Sequence, residues 1–273
     1  MLKVFEVVEV TSYASVFPLI FLSMVFYSSS WNSILGILSV GLGFRRTLSL
    51  TWISTFIDLL IPTESIVGEV ARVYLASNHL KKDSGKIAAS VLIHRLVSSS
   101  LNLFGLVVGS VFLLTRGLPY PVASAILLIS LGTTGVMIMI LVISFNEDLT
   151  LNAVQAFLKF SSLIFRGGMT ERYKTFILTG LKSFHQGIKD LGYSRTAIVK
   201  PVSYAVLAWL SELFTLIIIF RSVGYECPFS LVLIAYTLMY AVQTIPIGIV
   251  GVLGITEVTM TAILTFLGIP ANI

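Results

Sequence analysis

The sequence predicts an all-α polytopic membrane protein with two halves of inverted topology, each containing a Pro/Gly-broken re-entrant hairpin. Three observations lead to this fold class. The 273 residues are 56% hydrophobic and only 11% charged, whereas soluble domains contain about 25% charged residues. Mean hydropathy is +0.96, and two apolar regions are interrupted by proline and glycine in the two halves of the chain. We expect one transmembrane domain over 1–273, with a first half of about 13–145, a polar link at 146–200 and a second half at 201–273.

Four stretches have the length of a transmembrane helix. A helix needs about 20 apolar residues to cross the bilayer, because roughly 30 Å of hydrocarbon is crossed at about 1.5 Å per residue. The N-terminus mixes Lys3, Glu6 and Glu9 before the first apolar run and lacks the features of a signal peptide, so the first stretch is expected to be retained. The four stretches cover about 16–40, 87–114, 119–145 and 201–220.

Two further apolar regions are too interrupted to form one span each. The first stops at Pro62; the second stops at Pro246 and continues through Gly248, Gly251 and Gly254. Proline removes a backbone donor and clashes with the preceding turn, and glycine weakens a helix, so both regions are predicted to bend there. Paired interrupted segments point to the central site of a transporter. The helical stretches cover about 47–61 and 66–76 in the first region and about 229–245 and 255–267 in the second.

The link at 146–200 is the extended polar region of the chain, with 12 charged residues among 55. Its apolar side chains recur at helical spacing, which predicts an amphipathic helix suited to an anionic leaflet surface. A solvated helical hairpin that joins the two halves explains the same pattern. The apolar set is Phe176, Ile177, Leu181, Phe184, Ile188 and Leu191.

The basic residues predict the orientation. If both interrupted regions leave the membrane on the side they entered, 13 of the 18 basic residues lie on one side and three on the other. The positive-inside rule then makes the basic side, including 146–200, cytoplasmic. A single crossing by the first region would weaken this bias, so hairpins are preferred, the first entering from the cytoplasm and the second from outside. The 13 are Arg45, Arg46, Lys81, Lys82, Lys86 and the eight of 146–200; the three are Lys3, Arg116 and Arg221.

Eight ionisable side chains fall within the predicted membrane segments; Glu64 and His94 are two of them, and the other six are candidates for headgroup binding or for coupling. A charged side chain at the bilayer centre costs at least about 2.5 kcal/mol, so such residues are functional unless they are paired or reach the interface. Glu69 and Arg72 lie three residues apart on one helix face, which allows a structural ion pair or a site for a zwitterionic or anionic headgroup. The six are Asp58, Glu69, Arg72, Arg95, Glu212 and Glu257.

Each of the other candidates also has a structural alternative. Arg95 either lines the pathway or snorkels to cytoplasmic phosphates. Glu257 follows three glycines near a helix N-terminus, where a carboxylate is either a helix cap or a ligand for a headgroup amine or a proton. Glu212, in the middle of an apolar helix, needs a partner, water or a proton, and Asp58 is similar but nearer a helix end.

The sequence supports no enzymatic or metal chemistry. It contains no GxSxG, HExxH or Walker lysine motif, which leaves hydrolase, zinc protease and ATP-driven pump without support. His79, His94 and His185 lack metal-ligand spacing, and the single Cys227 excludes an internal disulfide. We expect no cofactor and no nucleic-acid partner, and we do not expect an enzyme.

Three stretches carry a family resemblance. IPTESIVGEVARVYL, SGKIAASVLIHRL and IPIGIVGVLGITEV resemble the transmembrane region of lysylphosphatidylglycerol synthases and their stand-alone, flippase-like relatives. His94 departs from the pattern, because the family usually has glutamate before the arginine. The chain also ends at Ile273, where relatives usually continue into another helix, so a short member or missing ends are expected. The matching positions are Pro62, Gly68, Glu69, Arg72, Arg95, Pro246, Gly248, Gly251, Gly254 and Glu257.

The resemblance implies a lipid translocase in the cell membrane of a prokaryote. Its substrate would be a polar or aminoacylated phospholipid or a polyprenyl-linked glycan, moved between leaflets without an ATP site. Two alternatives stay open: a small-solute secondary transporter, and a non-catalytic partner that presents lipid to a membrane transferase. The expected partners are the membrane lipid itself, an anionic leaflet at 146–200, and either a second copy of the chain or a transferase.

Overall fold

The structure of the chain is a computed structural model. It describes residues 9–61, 66–80, 84–114, 120–164, 171–192, 196–243, 255–266 and 269. Within these ranges all regular structure is helical. This confirms the predicted all-α polytopic class.

The described helices follow the predicted segments closely. The four predicted spans correspond to α2, α5, α6 and α9; helices α1–α2, α5 and α9 are long and apolar enough to cross a membrane. Helix α6 has 26 residues and no charged side chain. The helices are α1 (Val10–Ala14), α2 (Val16–Ile37), α3 (Phe44–Leu60), α4 (Ile66–Leu80), α5 (Ser84–Leu114), α6 (Tyr120–Phe145), α7 (Glu147–Ile164), α8 (Glu171–Gly192), α9 (Val199–Ser222), α10 (Phe229–Gln243) and α11 (Ile255–Phe266).

Helices α2 and α9 form the most extensive helix pair of the bundle. The Ser30 hydroxyl donates to the Pro201 carbonyl at 2.8 Å, and the Ser23 hydroxyl donates to Glu212 Oε1 at 2.9 Å. From the first contact to the second, the residue number falls in α2 and rises in α9, so the two helices are antiparallel. This pair joins the first half of the chain to the second.

Helix α5 is the centre of the bundle and contacts α2, α4, α6, α8, α9 and α10. Gly105 and Gly109 make a small-residue face on it, which lets another helix approach closely. A Cβ atom on Gly105 would lie 2.7 Å from Trp209 Cζ2 and 2.8 Å from Thr237 Cγ2, and one on Gly109 would lie 2.5 Å from Ile234 Cγ1. The GLVVG sequence therefore fixes how closely α10 packs on α5.

The first interrupted region forms an antiparallel helical hairpin, α3–α4. Asp58 near the end of α3 contacts Gly68 at the start of α4, and Ser54, one turn earlier, contacts Arg72, one turn later. The chain therefore turns back after α3 and does not continue as one straight span. Pro62 lies outside the described residues.

The second interrupted region also places two helices against each other, α10 and α11. Ile269, just after α11, packs in one apolar cluster with Val232 near the start of α10 and Phe220 near the end of α9. The far end of α11 thus lies beside the beginning of α10, as in a hairpin. Pro246, Gly248, Gly251 and Gly254 lie outside the described residues.

The polar link contains two helices, α7 and α8, which pack on different parts of the bundle. Helix α8 lies on the first turns of α5, where Phe184 and Ile188 join the apolar cluster of α2 and α5. Lys86 and Asp190 form an ion pair at 3.3 Å across this contact. Part of the predicted apolar face is thus covered by the protein's own α5.

Candidate functional site

A carboxylate joins the end of α3 to the beginning of α4. The Gly68 backbone N–H donates to Asp58 Oδ1 at 2.9 Å. Gly68 is in the first turn of α4, whose N–H groups have no partner within the helix and favour an anion. A Cβ atom on residue 68 would lie 2.2 Å from Asp58 Oδ2. Glycine at this position therefore lets Asp58 cap α4 from the neighbouring helix.

Arg72 lies one turn further along α4 and is buried, with 4% of its surface exposed. Its Nε and Nη2 donate to Ser54 Oγ at 3.3 and 2.9 Å. The guanidinium carbon lies 4.9 Å from the Trp31 ring centre and 5.8 Å from that of Tyr27, both distances suited to cation–π attraction. Arg72 thus ties hairpin α3–α4 to the aromatic face of α2.

His94 completes this buried cluster from α5. Its Nε2 lies 3.1 Å from the Tyr27 carbonyl oxygen, and its Nδ1 lies 3.5 Å from Arg72 Nη1. A carbonyl only accepts and a guanidinium only donates, so the neutral tautomer with its proton on Nε2 satisfies both neighbours. In this chain an uncharged acceptor therefore stands beside Arg72, where the resemblance leads one to expect a carboxylate.

Glu69 pairs with Arg95 of the neighbouring helix rather than with Arg72 on its own helix. The Glu69 Oε2 to Arg95 Nη1 distance is 3.0 Å, and the two side chains are 21% and 29% exposed. Arg95 lies about 17 Å from the start of α5 at about 1.5 Å per residue, in a helix about 46 Å long. The ion pair is thus partly open to the surroundings and far from the ends of α5.

Helix α10 reaches the same part of α5. The Tyr240 hydroxyl lies 3.3 Å from Ser99 Oγ, and Ser99 is one turn after Arg95 on α5. The end of α10 that leads into the second interrupted region therefore lies beside the Glu69–Arg95 pair.

Glu212 lies apart from this cluster, between α9, α2 and α10. Ser23 donates to its Oε1 at 2.9 Å, and the Tyr236 hydroxyl donates to its Oε2. We expected this carboxyl to need a partner within the membrane. The structure gives it two, which are hydroxyl groups from two other helices.

Of the six sequence-derived candidates, the structure brings together Asp58, Glu69, Arg72 and Arg95, while Glu212 lies between α9, α2 and α10. Glu257 is in the first turn of α11 and its side chain is exposed. Of the neutral members of both clusters, His94 was among the ionisable residues noted in the sequence, and the others were not predicted. The signal of these others in the sequence is a hydroxyl or indole group within an apolar helix: Ser23, Tyr27, Trp31, Ser54, Ser99, Tyr236 and Tyr240.

The described residues contain no group of three or more His, Cys, Asp or Glu side chains that could hold a metal ion. In the hairpin cluster the Glu69–Arg95 ion pair is partly exposed.

Comparisons with known proteins agree with this architecture. Residues 2–273 match the family model described as the lysylphosphatidylglycerol synthase TM region. The chain is 23% identical over 257 residues to UPF0104 membrane protein PH1989 of Pyrococcus horikoshii, a match that covers 91% of this chain and 75% of that protein. No solved structure matches the chain. The chain is thus an integral membrane protein that belongs to the family of the lysylphosphatidylglycerol synthase transmembrane region.

Proposed function

We propose that the protein is a lipid translocase that moves a phospholipid with a polar or aminoacylated headgroup between leaflets without ATP. The observation that carries this proposal is the Glu69–Arg95 ion pair, which is partly exposed and lies about 17 Å from the start of the apolar helix α5. Membership of a family described as the membrane region of a lipid synthase supports a lipid substrate. The proposal assigns no covalent step to the chain.

The ion pair suits a headgroup that carries both a phosphate and an amine. A guanidinium binds phosphate with two parallel hydrogen bonds, and a carboxylate accepts from an ammonium group. A zwitterionic or aminoacylated headgroup can therefore replace the Glu69–Arg95 contact by two contacts. Its phosphate pairs with Arg95, and its amine pairs with Glu69. This exchange lowers the cost of bringing the headgroup into the hydrocarbon region, because no charge in it is left unpaired.

The helix that carries Glu69 also exposes apolar side chains. Val70 and Tyr74 follow Glu69 on α4 and are 61% and 62% exposed. A lipid whose headgroup is at the ion pair needs apolar surface of this kind for its acyl chains.

The contacts on α5 support an alternating mechanism. Glu69 of the first hairpin and Tyr240 of the second bind positions one turn apart, Arg95 and Ser99. If the hairpins enter from opposite sides, as the basic residues predict, each can close one side of a shared headgroup site. Such opposed hairpins are typical of transporters built from inverted repeats.

The test is lipid movement in vesicles of phosphatidylcholine containing the purified protein. Acyl-labelled phosphatidylethanolamine, lysylphosphatidylglycerol and phosphatidylglycerol serve as probes, and dithionite quenches the label in the outer leaflet. Wild type should expose inner-leaflet probe, fastest for the two headgroups with an amine. Glu69→Gln and Arg95→Gln should reduce the rate at least tenfold, since each removes one half of the exchange.

The matched control is Glu226→Gln, the same chemical change at an exposed carboxylate between α9 and α10, which should leave the rate unchanged. Wild-type vesicles that quench like empty ones for all three probes would refute the translocase. Uptake of a soluble phosphate ester by the same vesicles would favour the solute transporter instead.

The orientation of the second hairpin is tested with Cys227, the chain's single cysteine. Cys227 lies between α9 and α10, and burial raises the pKa of its thiol. Maleimide reacts with the thiolate, so labelling should accelerate as the pH rises through this raised pKa. A membrane-impermeant maleimide should label Cys227 in intact cells, and should label Arg45→Cys in a Cys227→Ser background only after the membrane is opened. Labelling of both from one face would contradict the inverted hairpins.

A further inference from the structure

Glu212 is a membrane carboxyl that the headgroup exchange does not use. It lies near the middle of the 24-residue helix α9 and receives hydrogen bonds from Ser23 and Tyr236. Neither donor is charged, and the ion pairs recorded among the described residues involve other carboxylates. A carboxyl held in this way can be stable with or without its charge, because burial favours the neutral form and two donors favour the anion.

The groups that face Glu212 come from the helices packed around α9. Helix α2 contributes Ser23, and α10 contributes Tyr236. Helix α5 meets α9 through neutral Asn102, which accepts from the Trp209 indole N–H at 3.2 Å. Glu9, just before α1, donates its backbone N–H to the Ser222 carbonyl at 2.9 Å; it is charged but meets α9 ten residues from Glu212. The groups in contact with Glu212 are uncharged at neutral pH, so the charge on Glu212 is set by burial and by the two hydroxyls.

A row of polar groups leads from Glu212 to the headgroup site. Tyr236 and Tyr240 are one turn apart on α10, and Tyr240 contacts Ser99, which is one turn from Arg95 on α5. A change at Glu212 can therefore reach the Glu69–Arg95 pair through a displacement of α10. Each step along this path is either a hydrogen bond or one turn of a helix.

We propose that Glu212 binds and releases a proton during lipid movement and so couples the translocase to a proton gradient. This inference rests on the proposed function. An added proton replaces the charge-assisted hydrogen bonds to the Glu212 carboxylate by weaker neutral ones. The contact from Tyr236 ties α10 to the α2–α9 pair, so protonation weakens the attachment of the second hairpin and deprotonation restores it.

The first experiment measures the proton directly and does not depend on lipid movement. Infrared difference spectra of wild-type protein in phosphatidylcholine vesicles, recorded across a pH titration, should show a protonated carboxyl band that grows as the pH falls. The band should be missing in Glu212→Gln and retained in Glu226→Gln. A spectrum with no titrating carboxyl that depends on Glu212 would overturn the proposal.

The second experiment imposes a pH gradient on the same vesicles containing acyl-labelled phosphatidylethanolamine. If one proton accompanies one lipid, a gradient of about one pH unit should change the leaflet ratio of the probe by up to about tenfold. Glu212→Gln should lose this bias and still let the probe equilibrate without a gradient. Wild type that equilibrates the probe but ignores the gradient would overturn the coupling and leave the translocase standing.

Tyr236→Phe serves as the second variant, which keeps the test decisive if Glu212→Gln does not fold. Loss of one donor to the anion should shift the midpoint of the carboxyl band to higher pH. Ser23→Ala should shift it in the same direction. A midpoint unchanged in both variants would show that neither hydroxyl controls the proton, contrary to the proposal.

Discussion

The two helical hairpins meet the same helix, α5, through different kinds of contact. Hairpin α3–α4 has polar contacts, Arg72 with His94 and Glu69 with Arg95, in addition to the apolar packing of Ala76. Helix α10 of the second hairpin packs on the small-residue face at Gly105 and Gly109 and has one polar contact there, between Tyr240 and Ser99.

This difference suggests different mechanical roles. Buried polar groups demand particular partners in a particular geometry, so the first hairpin is bound to one position. Apolar packing is less directional, so α10, which has single hydrogen bonds at Tyr236 and Tyr240 beside its apolar contacts, can shift with a smaller loss. We infer that the first hairpin holds the ion pair in a fixed position, while the second hairpin moves during lipid transport.

The largest effect is expected from Arg72→Ala. It removes a buried guanidinium that contacts Ser54, His94 and two aromatic rings, and it should lower the free energy of unfolding by about 3 kcal/mol. Unfolding by sodium dodecyl sulfate in mixed micelles measures it. The control is Arg221→Ala, at an exposed arginine at the end of α9, which should be neutral. Equal stability of the two variants would contradict a first hairpin locked by Arg72.

The next effect concerns the packing of the second hairpin. In Gly109→Ala the new Cβ atom would lie 2.5 Å from Ile234 Cγ1, and the overpacking should cost about 1 to 2 kcal/mol after the gain in helix propensity. Gly132→Ala, where a Cβ meets nothing within 4 Å, is the control and should be neutral or stabilising. Similar stability for both variants would mean that the packing of α10 does not depend on its close approach to α5.

A smaller effect is expected for the exposed ion pair. Glu69→Ala, Arg95→Ala and the double variant form a cycle whose coupling energy should be about 1 kcal/mol, since the pair is partly exposed. Loss of lipid movement in both single variants should be far larger than this change in stability. A coupling energy as large as the loss of stability in Arg72→Ala would show that the ion pair holds the first hairpin in position as strongly as Arg72 does.

The smallest effect is expected from Tyr240→Phe. It deletes one hydrogen bond between membrane helices, which contributes about 0.6 kcal/mol on average. Ser99→Ala should give the same loss, and the two together should add little, because they share one bond. A loss of several kcal/mol in Tyr240→Phe would show that α10 is held by polar contacts as strongly as the first hairpin.

The helix boundaries were largely predictable. The spans predicted from hydropathy agree with α2, α5, α6 and α9, and both interrupted regions give two helices each. The link was less predictable: its apolar face fits a leaflet or another helix equally well, and Ile188 packs on the bundle. The close approach of α10 to α5 was also missed, although GLVVG on α5 was a sequence signal for it.

The sequence by itself determined the membrane class, the helices, their interruptions and the set of charged candidates, because helix length, hydropathy and proline act locally along the chain. Only the tertiary structure decided the partners. Glu69 binds Arg95 rather than Arg72, and Glu212 binds Ser23 and Tyr236. These contacts depend on the rotation and register of separate helices, which are set by packing between residues far apart in the sequence.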